Sequence, residues 1–493
     1  MIPTTLRDLA VLTGGSLHPG LCNRPTNGPT NGPQTVQHTA MLGDLVVDGP
    51  VTTDSRQCRP GSLYVARVGE YADGHDYVES AREAGAVAAL TSRPVDVLPS
   101  LVVDDVEVAF GRVARGVVDR APNLTVVAVT GSSGKTSTKD LLAQVLCVAG
   151  ETVAPVDSLN GEIGVPLTVC RVTSSTRFLV AEMGARRIGH LRYLTGIAPP
   201  DVAVVLNVGS AHVGEFGSRE NIAVAKGELV EALTPDGLAV LNADDPAVAA
   251  MAARTSARVV TTGVREPADI SAREVRLDDA GRATFVLVTA QGERPVRLRV
   301  AGAHQVGNAL AVVAVARECG LDLDLTVKVL GEAAAVSRWR MEVVERTDGV
   351  TVVNDAYNAN PDSMRAALDA LHAISTATTP ARRSWAVLGE MLELGADSRA
   401  EHEQLGRRAV ALRVDQVLAV GAGARPIVEA GSTGSIGSTG PASGSGRWVP
   451  DVDAAYELLR RELAPGDVVL LKSSRDAGLR WLGDRLVGLE VPQ

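Results

Sequence analysis

Residues 128–138 read AVTGSSGKTST, set between an apolar run and an amphipathic one. Gly131 and Gly134 permit backbone turns that aim successive N–H groups inward, at an anion. Lys135 can reach the outer phosphates of a nucleotide, the Thr136 hydroxyl suits magnesium, and Ser132, Ser133 and Ser137 belong to the same cradle. A helix that starts here adds the positive end of its dipole. The motif is shorter than the common G-x-x-x-x-G-K-[ST] loop: the position of the first glycine holds Val129. Two glycines alone would fit an ordinary turn between a strand and a helix. The Lys-Thr pair and the flanking runs select the nucleotide-binding reading.

A triphosphate cradle needs metal ligands on neighbouring strand ends. Glu182 closes the apolar run RFLVAEM, and His212 follows VAVVLNVGSA. The carboxyl ends of parallel strands are where open α/β sheets bind ligands. Taken singly, the carboxylate fits a solvated or capping role and the histidine a packed one. Taken together with the loop they are candidate magnesium ligands.

The elements that must position these groups alternate between strand and helix. LTVVAVT at 124–130 is a short continuous apolar run, as in a strand buried on both faces. Leu141, Leu142, Val145 and Leu146 then recur at helical spacing, and Gly150 is a plausible stop. RFLVAEM, VAVVLNV and LAVLN read as further buried strands, and the alternation restarts near Val350 with VTVVND, SWAVLGEM, QVLAVG and DVVLLKSS. Such alternation predicts parallel sheets covered by helices. The fold class is therefore α/β in three domains: an N-terminal α/β unit, 1–122; a central P-loop domain with a parallel sheet, 123–337; and a C-terminal Rossmann-like domain, 338–493. NRPTNGPTNGPQT at 23–35 and GSTGSIGSTGPASGSG at 431–446 read as a turn-rich surface insertion and a flexible linker.

The 493 residues carry a formal charge of −10, with no basic runs, which argues against nucleic acid or an anionic membrane as the main partner. Five scattered cysteines show neither zinc nor redox spacing, and the N-terminus has no signal-peptide pattern. No apolar run is long enough to span a bilayer. A cytoplasmic location without membrane insertion is expected.

Seven motifs in series resemble one family. TGSSGKT, NGEIGVP (160–166), AEMGA (181–185), SAHVGEFGS (210–218), AKGE (225–228), GAHQVGN (302–308) and NDAYNANPDSM (354–364) are similar to those of the ATP-dependent Mur ligases of peptidoglycan synthesis. In that family the shortened loop is the rule. NDAYNANPDSM looks like the version in members that join D-alanyl-D-alanine to UDP-N-acetylmuramoyl-tripeptide. Members that add the third residue usually carry a His-Thr-Pro version and an Asp-Asn-Pro-Arg signature, which is missing here. Folylpolyglutamate synthases share the fold and the phosphate loop but resemble this chain less around Tyr357. A sister ligase adding another amino acid stays open, as does a nucleotide-binding switch without transfer.

The resemblance implies an acyl-phosphate mechanism with ATP and Mg2+, and UDP-N-acetylmuramoyl-tripeptide and D-alanyl-D-alanine as substrates; a monomer is expected, although the sequence does not give the oligomeric state. It implies that Lys135 holds the β- and γ-phosphates, that Thr136 and Glu182 bind one magnesium, that His212 helps bind a second, and that Asn160 lines the γ-phosphate side. Lys226 resembles a lysine that the family carbamylates into an anionic metal ligand; otherwise it reads as an exposed lysine paired with Glu228 or Glu231. Asn308 resembles an adenine contact, although a helix cap fits it too. Asp355 and Arg340 resemble residues that reach the nucleoside and the phosphates. Tyr357, Asn358 and Asn360 are expected to shape the acceptor and dipeptide site, with a turn before a helix at Ser363 as the other reading. Residues 52–77 resemble the uridine-nucleotide unit, with Ser55 and Arg56 as diphosphate candidates. LKSSRDAG departs from the family's Lys-Gly-Ser-Arg, which leaves Lys472 and Arg475 open. NADDP at 242–246 fits a strand-end turn as well as a nucleotide contact.

Overall fold

The computed structural model describes residues 1–20, 41–209, 213–432 and 445–490. The run at 23–35, His212 and most of the Gly/Ser run at 431–446 lie outside the described residues. The chain separates into two compact units, Met1–Ala128 with Gly150–Gly184 and Leu191–Asp201, and Val129–Ala149 with Ala185–His190 and Val202–Gln493.

The first unit holds a five-stranded sheet in the order Ser16–His18, Ser100–Val102, Ala86–Thr91, Ser62–Val65, Val51–Thr52. Its neighbours are parallel except for the first pair. The helix Val106–Asp119 starts where Asp105 accepts from the N–H groups of Glu107 and Val108, and it buries Phe110, Val113 and Val117. Phe178–Glu182 pairs in parallel with Thr152–Val153, so Glu182 stands at a strand's carboxyl end, as its place after the apolar run predicts.

Strand Thr125–Thr130 passes from the first unit into the second after Ala128. The helix Lys135–Leu146 follows and buries all four predicted leucine and valine positions. It ends short of Gly150 because its apolar stripe runs out: Val148 is exposed, and Ala149 N–H turns back onto Leu146 O. In the second unit the strands lie in the order Gly292–Ala301, Arg282–Thr289, Ile270–Leu277, Arg258–Gly263, Leu238–Asn242, Val202–Val205. The last four are parallel neighbours, but the first three pair antiparallel. That antiparallel ribbon adds to the parallel sheet expected here. Its sequence shows why: the burial pattern of Arg282–Thr289 alternates residue by residue, the period of a sheet with one wet face. The end strand, Gly292–Ala301, exposes Glu293, Pro295, Arg297 and Arg299.

The same unit contains a six-stranded sheet in the order Glu342–Glu345, Thr351–Asn354, Val468–Lys472, Ser384–Leu388, Gln416–Val420, Ser445–Val449. All pairs are parallel except the first. One face packs Met364, Leu368 and Leu371 of helix Pro361–Thr376, and the other packs Leu459 and Leu482 against Trp385 and Val387. Covering both faces makes this the Rossmann-like arrangement predicted. Asp355 directly follows one strand end, and Lys472 closes the neighbouring strand.

Candidate active site

The phosphate loop is pinned before any ligand is considered. Ser132 N–H donates to Asn207 O at 3.1 Å, and Ser133 N–H donates to Asn207 Oδ1 at 2.9 Å. Asn207 Nδ2 returns a bond to Ser133 O, and Gly209 N–H donates to the buried Ser132 Oγ at 2.9 Å. Asn207 lies beyond strand Val202–Val205, so a neighbouring strand end shapes the cradle. Lys135 Nζ donates to Gly131 O at 2.7 Å and folds its charge over the turn. Gly134 caps the helix with φ +81°, a left-handed conformation that glycine adopts without strain. A Cβ there would lie 2.8 Å from Asn308 Oδ1. Thr136 is buried, and Ser137 follows on the first helical turn.

Asn308 is buried in the first turn of helix Gln305–Glu318, and its Nδ2 donates to Gln305 Oε1 at 2.9 Å. The cap position belongs to His304, so Asn308 is no cap, and its carbonyl oxygen faces the Gly134 turn. The acidic pair of NADDP serves the backbone. Asp245 caps helix Pro246–Ala249 and accepts from Val208 N–H, while Asp244 accepts from the N–H groups of Val264, Arg265 and Glu266.

Lys226 lies within helix Arg219–Glu231 and is only 4% exposed. Burial, and then the positive charge of Lys135, push its ammonium well below the ordinary lysine range. The exposed ion pair does not form: Glu228 accepts from Gly189 N–H, and Glu231 pairs with Arg254. In the first unit Asn160 and Glu182 come together, with Asn160 Nδ2 donating to Glu182 Oε1 at 2.7 Å. Glu182 is 1% exposed, and its Oε2 is buried without a hydrogen-bond partner among the described residues. A buried carboxylate oxygen is costly unless something cationic meets it, which is the property of a hard-metal ligand. No group of three or more His, Cys, Asp or Glu stands ready for a metal among the described residues.

Arg340 Nη2 donates to Thr136 Oγ1 at 3.2 Å, and its guanidinium lies 4.2 Å from the centre of the Tyr357 ring. Among the described residues the Asp355 carboxylate bonds to groups other than the loop. Its Oδ1 accepts from Met341 N–H at 3.0 Å, and its Oδ2 forms a 2.6 Å ion pair with Lys472. Burial lowers the Lys472 ammonium while the Asp355 charge opposes that shift. The same Nζ donates to the backbone oxygens of Asp355 and Asn358, so Lys472, which the motif LKSSRDAG left open for peptide recognition, braces the whole turn. The Asn358 side chain is exposed. Asn360 caps helix Pro361–Thr376 in a reciprocal box with Ser363, and its Nδ2 donates to Ser132 O at 3.3 Å. The helix thus starts two residues before Ser363, and Asn360 reaches the phosphate loop as well. Ser55 is buried at the start of the turn Ser55–Gln57, while the exposed Arg56 forks onto Asp54.

Comparison with known proteins yields three family models in order along the chain. The Mur ligase family catalytic domain matches residues 50–134, the Mur ligase middle domain 129–316, and the Mur ligase glutamate ligase domain 339–475. The UDP-N-acetylmuramoyl-tripeptide–D-alanyl-D-alanine ligase of Mycobacterium tuberculosis (strain ATCC 25618 / H37Rv) is 49% identical over 474 residues, covering 90% of this chain and 92% of its own. Crystal structure I of MurF from Acinetobacter baumannii superposes with a TM-score of 0.83 at 30% identity, over 99% of both chains. The crystal structure of MurF ligase from Thermotoga maritima in complex with ADP gives 0.75 at 29% identity, over 89% of this chain and 98% of its own.

Proposed function

The chain belongs to the Mur ligase family and has its three-domain α/β fold, and from that premise we propose that it joins D-alanyl-D-alanine to UDP-N-acetylmuramoyl-tripeptide at the expense of ATP. The observation that carries the reading is a meeting of two motifs. The phosphate loop touches the acceptor-side segment at Asn360, and Arg340 reaches Thr136. A nucleotide cradle serving only a switch has no need of the peptide-ligase segment beside it.

In this reading the loop amides, Lys135, Ser132, Ser133 and Ser137 hold the phosphates, with Asn308 at the base and Arg340 on the phosphate side. A terminal carboxylate oxygen of the tripeptide attacks the γ-phosphorus. The bond to the bridging oxygen breaks, and ADP leaves. The amine of D-alanyl-D-alanine then attacks the acyl carbon. The tetrahedral adduct expels inorganic phosphate, and the amine's proton goes to solvent. Alignment is the main task, since carboxylate and triphosphate repel each other. Asn160 lines the γ-phosphate side, while Tyr357, Asn358 and Asn360 shape the acceptor site. Asp355 serves the nucleoside, and Ser55 and Arg56 serve the uridine diphosphate.

Magnesium fits the donor chemistry. Glu182 offers a buried carboxylate oxygen without a partner among the described residues, and Thr136 offers a hydroxyl. His212 and Lys226 complete the proposed set. When bound, the ion neutralises the charge between triphosphate and carboxylate. The lowered Lys226 ammonium favours the neutral amine, the form that adds carbon dioxide: an N–C bond forms, a proton leaves, and the product is anionic. We place the domain boundaries near 122 and 337 and the enzyme, as a monomer, in the cytoplasm. Among the described residues no helix is long and apolar enough to cross a membrane.

The test combines purified chain, ATP, magnesium, UDP-N-acetylmuramoyl-tripeptide and D-alanyl-D-alanine, with mass spectrometry of the products. The reading expects the pentapeptide, phosphate release that needs both peptide substrates, and loss of both with Lys135→Ala. A product of another mass would assign a sister ligase. Hydrolysis indifferent to the peptides would sink the ligase reading.

A further inference from the structure

Helix Lys135–Leu146 carries two charged residues that its amphipathic pattern would leave in solvent, yet Lys139 and Asp140 are both buried. They form a close ion pair with each other and converge on Ser337. Ser337 N–H donates to Asp140 Oδ2 at 2.9 Å, Ser337 Oγ bonds Asp140 Oδ1 at 3.1 Å, and Lys139 Nζ donates to Ser337 Oγ at 3.2 Å. A buried ion pair costs desolvation and is weak as a source of stability, so its retention calls for a use.

The spacing supplies one. Thr136, Asp140 and Gln144 stand at intervals of four, on one helix face. The strap that leads into the C-terminal sheet runs along this face in the opposite direction. Arg340 meets Thr136, Ser337 meets Asp140, and Ala334 meets Gln144 through a reciprocal pair of bonds at 2.9 and 3.1 Å. Beyond Ser337 the strap is strained. Trp339 and Met341, the two neighbours of Arg340, have φ of +59° and +52°, a region non-glycine residues enter only when held. The far end is held by Asp484 on the Trp339 indole N–H and by Asp355 on Met341 N–H. The near end is held by the buried pair.

We propose that Asp140, seated by Lys139, is a positioning residue that anchors Ser337 and thereby sets the Arg340 guanidinium at the phosphate loop. This rests on the reading of Arg340 as a phosphate-side group. The loop helix then both cradles the nucleotide and aims the arginine that arrives from the following strap. Two groups that must act on one triphosphate are thereby kept in register.

The test is a double-mutant cycle in the full-length enzyme, read as steady-state constants for each substrate. Asp140→Asn keeps the shape but loses an acceptor, and kcat/KM for ATP should fall about tenfold or more, while KM for D-alanyl-D-alanine stays within about twofold. In an Arg340→Ala background the same change should cost less than about twofold, because its effect runs through the arginine. Ser337→Ala, which keeps the backbone bond, should lower kcat/KM for ATP about threefold and covers the case in which Asp140→Asn does not fold. Arg340→Ala with wild-type constants would overturn the phosphate-side reading itself. An impaired Arg340→Ala with an unimpaired Asp140→Asn, or fully multiplicative losses in the double variant, would overturn the positioning role alone.

Discussion

Replacing Gly134 by alanine separates the strain of the phosphate loop from its chemistry. The residue has φ +81°, where an L-side chain costs about 1–2 kcal/mol. That cost falls on the folded chain with or without nucleotide, so it appears as stability: the melting transition containing the loop should drop by roughly 2–6 °C. The new Cβ would also lie 2.8 Å from Asn308 Oδ1, too close for any real contact, and Leu206 Cδ1 at 3.3 Å leaves it no retreat. The Asn308 amide must therefore turn away, giving up its bond to Gln305 and its presentation to a nucleotide. Losing one or two hydrogen bonds to a bound adenine is worth about 1–3 kcal/mol, which weakens ADP binding about five- to 150-fold. Isothermal titration with ADP and differential scanning fluorimetry on the same samples separate the two effects. A lower melting point with unchanged affinity would remove Asn308 from the nucleotide site. If neither quantity moved, the left-handed turn and its close approach would be wrong.

Glu182→Gln keeps an acceptor for Asn160 while removing a buried carboxylate, so the metal-free chain should be as stable as before or about 1 kcal/mol more stable, yet lose about a hundredfold in magnesium-supported ligation. Fluorimetry without metal and product mass check the two halves, and undiminished ligation would refute the metal role. Burial pushes the Cys170 thiol up to about 12 and raises Cys58 as well, whereas Cys147 is exposed. Iodoacetamide at pH 8 should therefore label Cys147 in the native chain at least about a hundredfold faster than Cys58 or Cys170, and peptide mapping reads the order. The His75 backbone N–H, then Arg93 and the His75 ring, hold the Asp73 carboxyl far below the usual range. A lowered carboxyl stabilises above its unfolded value and loses that contribution as pH falls below about 4, toward the folded value. Asp73→Ala should cost about 1 kcal/mol at neutral pH as a lost cap, and it should flatten the acid limb of the N-terminal unit's stability curve. Denaturation at pH 7 and pH 3 compares the two limbs.

The phosphate loop, its helix and the strands that end at Glu182 and Asn354 were legible because they are local. A short apolar run and a helical stripe each declare themselves within a dozen residues. The ribbon at 270–301 was passed over because alternating strands such as RATFVLVT contain no continuous apolar run, and their partners follow by hairpin rather than through a helix. Lys139 and Asp140 gave no sign, since a charged pair in an amphipathic helix reads as a wet face, and only a strap some two hundred residues on encloses it. Lys472 was noticed, with peptide recognition left open, but its bracing role was hidden in the same way: the turn from Asp355 to Asn358 is far off in sequence. Asn360 shows the converse. Its turn-and-cap reading holds, and the contact with Ser132 comes on top of it, because one amide can cap with its oxygen and bridge with its nitrogen.

The ten-residue strand Gly292–Ala301 ends its sheet with one row of backbone groups that no further strand pairs with among the described residues. Such a border invites another chain to zip onto it. Here the invitation is withdrawn by composition: a proline that has no hydrogen to offer, and arginines that repel a second copy laid alongside. The longest strand among the described residues is thus also one poorly suited to seed a fibril. Swapping those arginines for valine would leave the nucleotide cradle intact while turning a soluble border into an adhesive one.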